Sequence, residues 1–131
     1  MENNLVLTGV SNNVFCSIKA SGDAEAKKLF NALETCDALL NDLVGEEINM
    51  KDLYIEERKV QDENGEEKIK YRTIIFDTEG KTYATASYGV FNTLRKIIAI
   101  YGQPTWENGV KVTVAKRPIG NGKSSLTLTL V

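Results

Sequence analysis

The spacing of apolar and polar positions changes twice between Lys68 and Gly102, and those changes lay out the centre of the chain. Lys68, Lys70 and Arg72 recur at every second position, which on a strand puts all three on one face. Ile69, Tyr71, Thr73 and Ile75 then point the other way, while Ile74 and Phe76 share the basic face. Asp77-Thr78-Glu79-Gly80 suits a type I turn with glycine in the left-handed position, and a further strand is expected over 81–87. From Val90 the apolar residues fall at Val90, Phe91, Leu94, Ile97, Ile98 and Tyr101. Steps of three and four predict a helix over 88–101, with Ser87 as its cap and Gly102 as its end.

The flanking segments extend this plan. Residues 46–60 read as a strand whose apolar parity changes between Met50 and Leu53, which a bulge near Lys51–Asp52 reconciles. Asp62-Glu63-Asn64-Gly65 is a hairpin turn into a strand over 67–77. In the strand over 81–87, Ala84 and Ala86 are expected to face inward and Lys81, Tyr83 and Thr85 outward. After the helix, a loop holding Pro104, Trp106 and Gly109 leads to a strand over 110–115. A turn at Gly120-Asn121-Gly122 then precedes a last strand over 124–131, where leucines alternate with Thr127, Thr129 and Val131. Strand, strand, strand, helix, strand, strand is the order of an oligonucleotide-binding (OB) barrel.

Upstream, residues 4–9 and 13–19 predict two short strands about Ser11-Asn12-Asn13. Gly22 and Asp23 open a helix with an apolar stripe of Ala26, Leu29, Phe30 and Leu33, and Asp37 is placed to cap a second short helix over 38–43. The expected architecture is therefore α+β, mostly β. It is a single domain, 1–131, in which an N-terminal ββα extension (1–45) packs on a five-stranded OB-like barrel (46–131).

Composition narrows the chemistry. Apolar content of 42% and charged content of 26% suit a chain that buries a core. No apolar run approaches the roughly 20 residues of a membrane span, and the N-terminus has no basic cluster, so a cytoplasmic protein with no membrane partner is expected. Histidine is absent, which removes the usual general base near neutral pH, and Cys16 and Cys36 lack metal-ligand spacing. Gly120-Asn121-Gly122-Lys123 leads into a strand, whereas a phosphate loop needs a helix behind it. No enzyme activity, metal or cofactor is expected.

Charge is unevenly distributed. Residues 45–68 hold nine acidic and four basic side chains, while residues 110–131 hold four basic and no acidic ones. A net charge of −2 thus coexists with local basic surfaces. On an OB barrel the ligand crosses the second and third strands between the flanking loops. That region offers Lys70, Arg72, Phe76, Lys81 and Tyr83, joined by Lys116 and Arg117 after the fourth strand, with Tyr54 and Trp106 as further candidates. Cations that track phosphates and rings that accept unpaired bases are what single-stranded nucleic acid requires. Other readings stay open: Lys68, Lys70 and Arg72 can pair with Glu56 or Glu57 across the hairpin, Ile74 and Phe76 can pack beneath the extension, and Tyr71 can be core.

The segments KLFNAL (28–33), EEINMKDLYIEE (46–57), IIFDTEGKTYATAS (74–87) and GVFNTLRKIIAIYGQPTW (89–106) resemble the single-stranded DNA-binding proteins of small tailed phages of Gram-positive bacteria. The resemblance implies a replication protein that coats unwound DNA in the host cytoplasm, with Tyr54 and Tyr83 as stacking rings and Tyr71 and Tyr88 as further ones. Replication proteins are the additional partners it suggests, and self-association through exposed edge strands at either terminus is a separate expectation from the strand order. Relatives of this function in bacteria end in a flexible acidic tail, whereas this chain ends LTLTLV. From a different class, an adaptor or inhibitor using the acidic 46–67 hairpin is the competing expectation.

Overall fold

Every part of the sheet is anchored on one long, bent strand. The computed structural model describes residues 13–18 and 22–131. Its elements are β1 (Asn13–Cys16), α1 (Asp23–Glu34), β2 (Ala38–Leu39), a 3-10 turn (Leu40–Leu43), β3 (Glu47–Gln61), β4 (Glu67–Asp77), β5 (Thr82–Thr85), α2 (Tyr88–Tyr101), β6 (Val110–Gly120) and β7 (Lys123–Leu130). The sheet order is β2-β5-β4-β3-β6-β7, with β1 also paired to β3. β4 follows one edge of β3 from Met50 to Gln61. The other edge is shared by β6, opposite Glu47–Met50, and β1, opposite Tyr54–Glu57. The register of β3 shifts between Met50 and Asp52, the site where the sequence requires a bulge. The result is a strongly curled half-barrel, an OB-like α+β fold with mostly β structure.

The inner face of the curl is filled by Met50, Leu53, Ile75, Val112 and Leu128 from the strands and by Val90, Leu94 and Ile97 from α2. α2 begins where β5 ends and packs on β7. The Ser87 hydroxyl accepts from the Val90 amide at 3.3 Å and donates to the Leu126 carbonyl at 3.1 Å. Thr93 and Thr127 hydroxyls meet at 2.8 Å. Gly89 lies so close to β7 that a Cβ there would overlap the Leu126 carbonyl. At the far end of the helix the Trp106 indole donates to the Gly102 carbonyl at 3.0 Å and joins the same core.

A second, smaller core lies on the outer face. Cys16, Tyr54, Ile74 and Ala84 stand in register as one row across β1, β3, β4 and β5. Leu29 and Ala32 of α1 cover it, with Val14 and Phe76 alongside. β5 therefore faces opposite to expectation: Tyr83, opposite Ile75, packs on the inner core, and Ala84 lies on the outer face beneath α1.

Two further expectations change. The helix over 38–43 is instead strand β2, parallel to β5, followed by the 3-10 turn. The cause is Asp37, which does not cap a helix. Its carboxylate accepts from the Thr82 amide at 2.8 Å, and its own amide donates to the Thr82 carbonyl, so the chain is fixed along the edge of β5. β6 runs on to Gly120, making a long two-stranded ribbon with β7. The strand expected over 4–9 lies outside the described residues, as does the end of the one expected over 13–19.

Candidate nucleic-acid interface

Beyond the C-terminal end of α1 the outer face of β3 and β4 is uncovered. The hairpin register places Glu56 opposite Arg72, Arg58 opposite Lys70 and Val60 opposite Lys68. Arg58, Val60, Lys70 and Arg72 of these rows border an open groove of about 470 Å³; Leu39 and Ala84 add to its apolar lining, and the two arginines and Lys70 are its cations. Among the described residues, no amide or carboxylate side chain lines it.

The three cations are held differently. Arg72 is half-buried and donates through Nη2 to the carbonyl of Leu33 in the last turn of α1. That helix end carries no basic residue of its own, so Arg72 supplies the positive charge the dipole favours there. Arg58 is 3.5 Å from the Glu56 carboxylate, which is itself nearly enclosed. Lys70 is exposed and forms no ion pair among the described residues. Of the pairings open in the sequence, Lys68 goes to Asp62 at 3.6 Å and Glu56 goes to Arg58. Arg58 was missed by sequence reasoning, yet the turn at Asn64-Gly65 sets the hairpin register and so places it across from Lys70.

The other expected residues are dispersed. Tyr54 and Phe76 are fully enclosed under α1, so neither ring has a face for a base. The Tyr54 hydroxyl reaches Glu56 at 3.5 Å, and burial, reinforced by Glu56, pushes its pKa up to about 12. Trp106 is buried against the inner core, with its indole N–H already engaged. Tyr83 is half-buried and donates to Asp77 at 2.8 Å; burial and that bond push its pKa up to about 12. Tyr83 and Lys81 border a cleft with Asp37, Glu46 and Glu47, so a phosphate there would meet more negative charge than positive. Lys116 and Arg117 are exposed on the β6–β7 ribbon, where Arg117 donates to the Thr127 hydroxyl at 3.4 Å.

Burial raises the Cys16 thiol, which favours the unreactive protonated form. Among the described residues no group of His, Cys, Asp or Glu is placed to hold a metal, and no helix is long and apolar enough to cross a membrane.

A family model described as phage single-stranded DNA-binding protein, of the phi29 type, matches residues 8–131. The chain belongs to that family. Comparison with curated proteins and with solved structures gives no match. The family is one of non-catalytic DNA-binding proteins.

Proposed function

We propose that this protein covers single-stranded DNA without regard to base sequence during replication or recombination, acting in the cytoplasm of the infected cell. The observation that carries the reading is the groove beside α1, where Arg58, Lys70 and Arg72 surround an apolar floor. The cations engage phosphates, and the floor receives the apolar faces of unpaired bases. Phosphate charge and the apolar faces of bases are common to every nucleotide, so a groove of cations over an apolar floor supports binding without regard to sequence. Lys116 and Arg117 on the β6–β7 ribbon extend phosphate contact beyond the groove, and replication proteins are its further partners.

Fluorescence anisotropy with labelled oligo-dT, a mixed-sequence oligonucleotide and a duplex tests this. The two single strands are expected to bind with similar affinity, the duplex more weakly, and all binding to weaken as salt rises. Preference for the duplex, or affinity that ignores salt, would overturn the proposal.

A further inference from the structure

The two long hairpins of the sheet run off opposite ends of β3. β4 accompanies β3 to its last residue, Gln61, where residues 62–65 turn the chain. β6 meets β3 only opposite Glu47–Met50 and, running antiparallel, continues past the start of β3 to the turn at 120–122. At about 3.3 Å per residue, roughly 70 Å of strand path separates the two turns. They point away from each other, and among the described residues no ion pair joins them.

Their surfaces are opposite in charge. Glu63, Glu66 and Glu67 are exposed at the first turn and form no ion pair among the described residues. Asp62 is already occupied by the turn's own amides and by Lys68. The second turn is flanked by Lys116, Arg117 and Lys123, all exposed, and residues 110–131 hold no acidic side chain. Each hairpin also exposes one large aliphatic side chain. Ile69, on the face of β4 that carries Glu67, is 51% exposed. Ile119 is 62% exposed, at the register shift that leaves it without an opposite residue. An aliphatic patch rimmed by polar groups has the make-up of a protein contact. The acidic turn repels phosphate, so DNA is not its ligand. What complements it is a basic turn with an isoleucine beside it, and a second copy of this chain supplies one.

We propose that the β3–β4 turn of one copy docks on the β6–β7 turn of the next, with Lys123 against Glu63, Glu66 and Glu67, and Ile119 against Ile69. The contact joins two different surfaces at opposite ends of the molecule, so it does not close, and copies follow one another in a single direction. Lys116 and Arg117 stand further back on the ribbon and remain available to phosphate. Exposed ion pairs contribute little individually, so association in free solution is weak and fades with salt. Copies side by side on a strand meet at high effective concentration, which strengthens the same contact. That consequence rests on the protein binding single-stranded DNA; the contact itself does not.

The test uses the full chain in three forms: the parent, Glu63→Lys with Glu66→Lys, and Lys123→Glu. Carbodiimide crosslinking of the parent at low salt, with and without poly-dT, joins lysines to carboxylates. Mixing isotopically labelled and unlabelled protein identifies crosslinks between copies by mass spectrometry. Lys123 is expected to join Glu63, Glu66 or Glu67 of another copy. The second measurement is the ratio of affinity for poly-dT to affinity for an oligo-dT of about 10 nucleotides, near the site of one OB fold. Either reversed variant puts like charges at every junction, and its ratio should fall roughly tenfold. An equal mixture of the two restores opposite charges at alternate copies and should recover the parent's ratio, which a misfolded variant could not do. A mixture no better than its components, or crosslinks confined to other residues, would overturn the contact and leave the groove standing. Crosslinks between the turns in a protein with no affinity for oligo-dT would overturn the groove and leave the contact. Neither crosslinks nor affinity would overturn both.

Discussion

Lys70→Gln removes one positive charge from the groove while keeping most of the side chain's length. Lys70 is exposed and unpaired among the described residues, so the fold should lose less than about 0.5 kcal/mol. Each phosphate neutralised on a single strand adds about 0.7 to the slope of log affinity against log salt. Arg58, Lys70 and Arg72 together therefore give a slope of about −2.1, and the variant retains about −1.4. A fourfold rise in salt, from about 50 to about 200 mM, should then weaken the parent about 18-fold and the variant about 7-fold. If Lys116 and Arg117 also touch phosphate, both slopes steepen but their difference stays at about 0.7. Lys81→Gln is the comparison. Lys81 stands in the cleft with Asp37, Glu46 and Glu47, and its replacement should leave the slope at the parent value. Anisotropy titrations with oligo-dT at four salt concentrations measure all three proteins. Equal slopes for the parent and Lys70→Gln, or a loss at Lys81→Gln as large as at Lys70→Gln, would refute the placement of the strand in the groove.

Three other outcomes concern the scaffold. Gly89→Ala puts a methyl group into the Leu126 carbonyl and should cost about 1–3 kcal/mol, read as a lower thermal midpoint; an unchanged midpoint would mean α2 does not sit tightly on β7. The Thr73 hydroxyl is enclosed without a hydrogen-bond partner among the described residues, so Thr73→Val should raise stability by on the order of 1 kcal/mol in denaturant titration, and a clear loss would show that the hydroxyl is satisfied. Tyr54 and Tyr83 hold their protons up to about pH 12 in the fold, against about 10 when unfolded. The folded state then binds more protons between those values, so their contribution is full below about pH 10 and is lost as the pH rises towards 12. Denaturant midpoints should fall across that window, and Tyr54→Phe should flatten the fall; a flat profile in the parent would contradict the burial of these hydroxyls.

Boundaries set by local chemistry were legible in the sequence. The Asp62 carboxylate accepts from the Asn64 and Glu66 amides, each at 2.9 Å, and Asp77 accepts from the Glu79 and Lys81 amides at the same distance. Both turns are therefore built by the aspartate that opens them, and β4 runs between them over the residues its composition indicates. Ser87 and Gly102 delimit α2 in the same local way. β2 was not legible, because the preference of Asp37 for Thr82 over a helix end is a contact between residues 45 apart.

The choice of sheet face was harder, for a physical reason. Ile74, Ile75 and Phe76 are consecutive and all buried, because the curl encloses one side of β4 and α1 covers the other. A strand buried on both faces has no alternation to read, and the orientation of β5 follows only once Tyr83 is paired with Ile75. One face of β4 nevertheless carries the answer in its order. From Phe76 and Ile74 it changes to Arg72, Lys70 and Lys68, and α1 ends at that change, with Arg72 bonded to the Leu33 carbonyl. The helix covers the part of the face that is apolar, and the part left open is basic. On the proposed reading, the surface available to DNA is set by the length of α1, and the cations next to its last turn are the first ones a strand reaches.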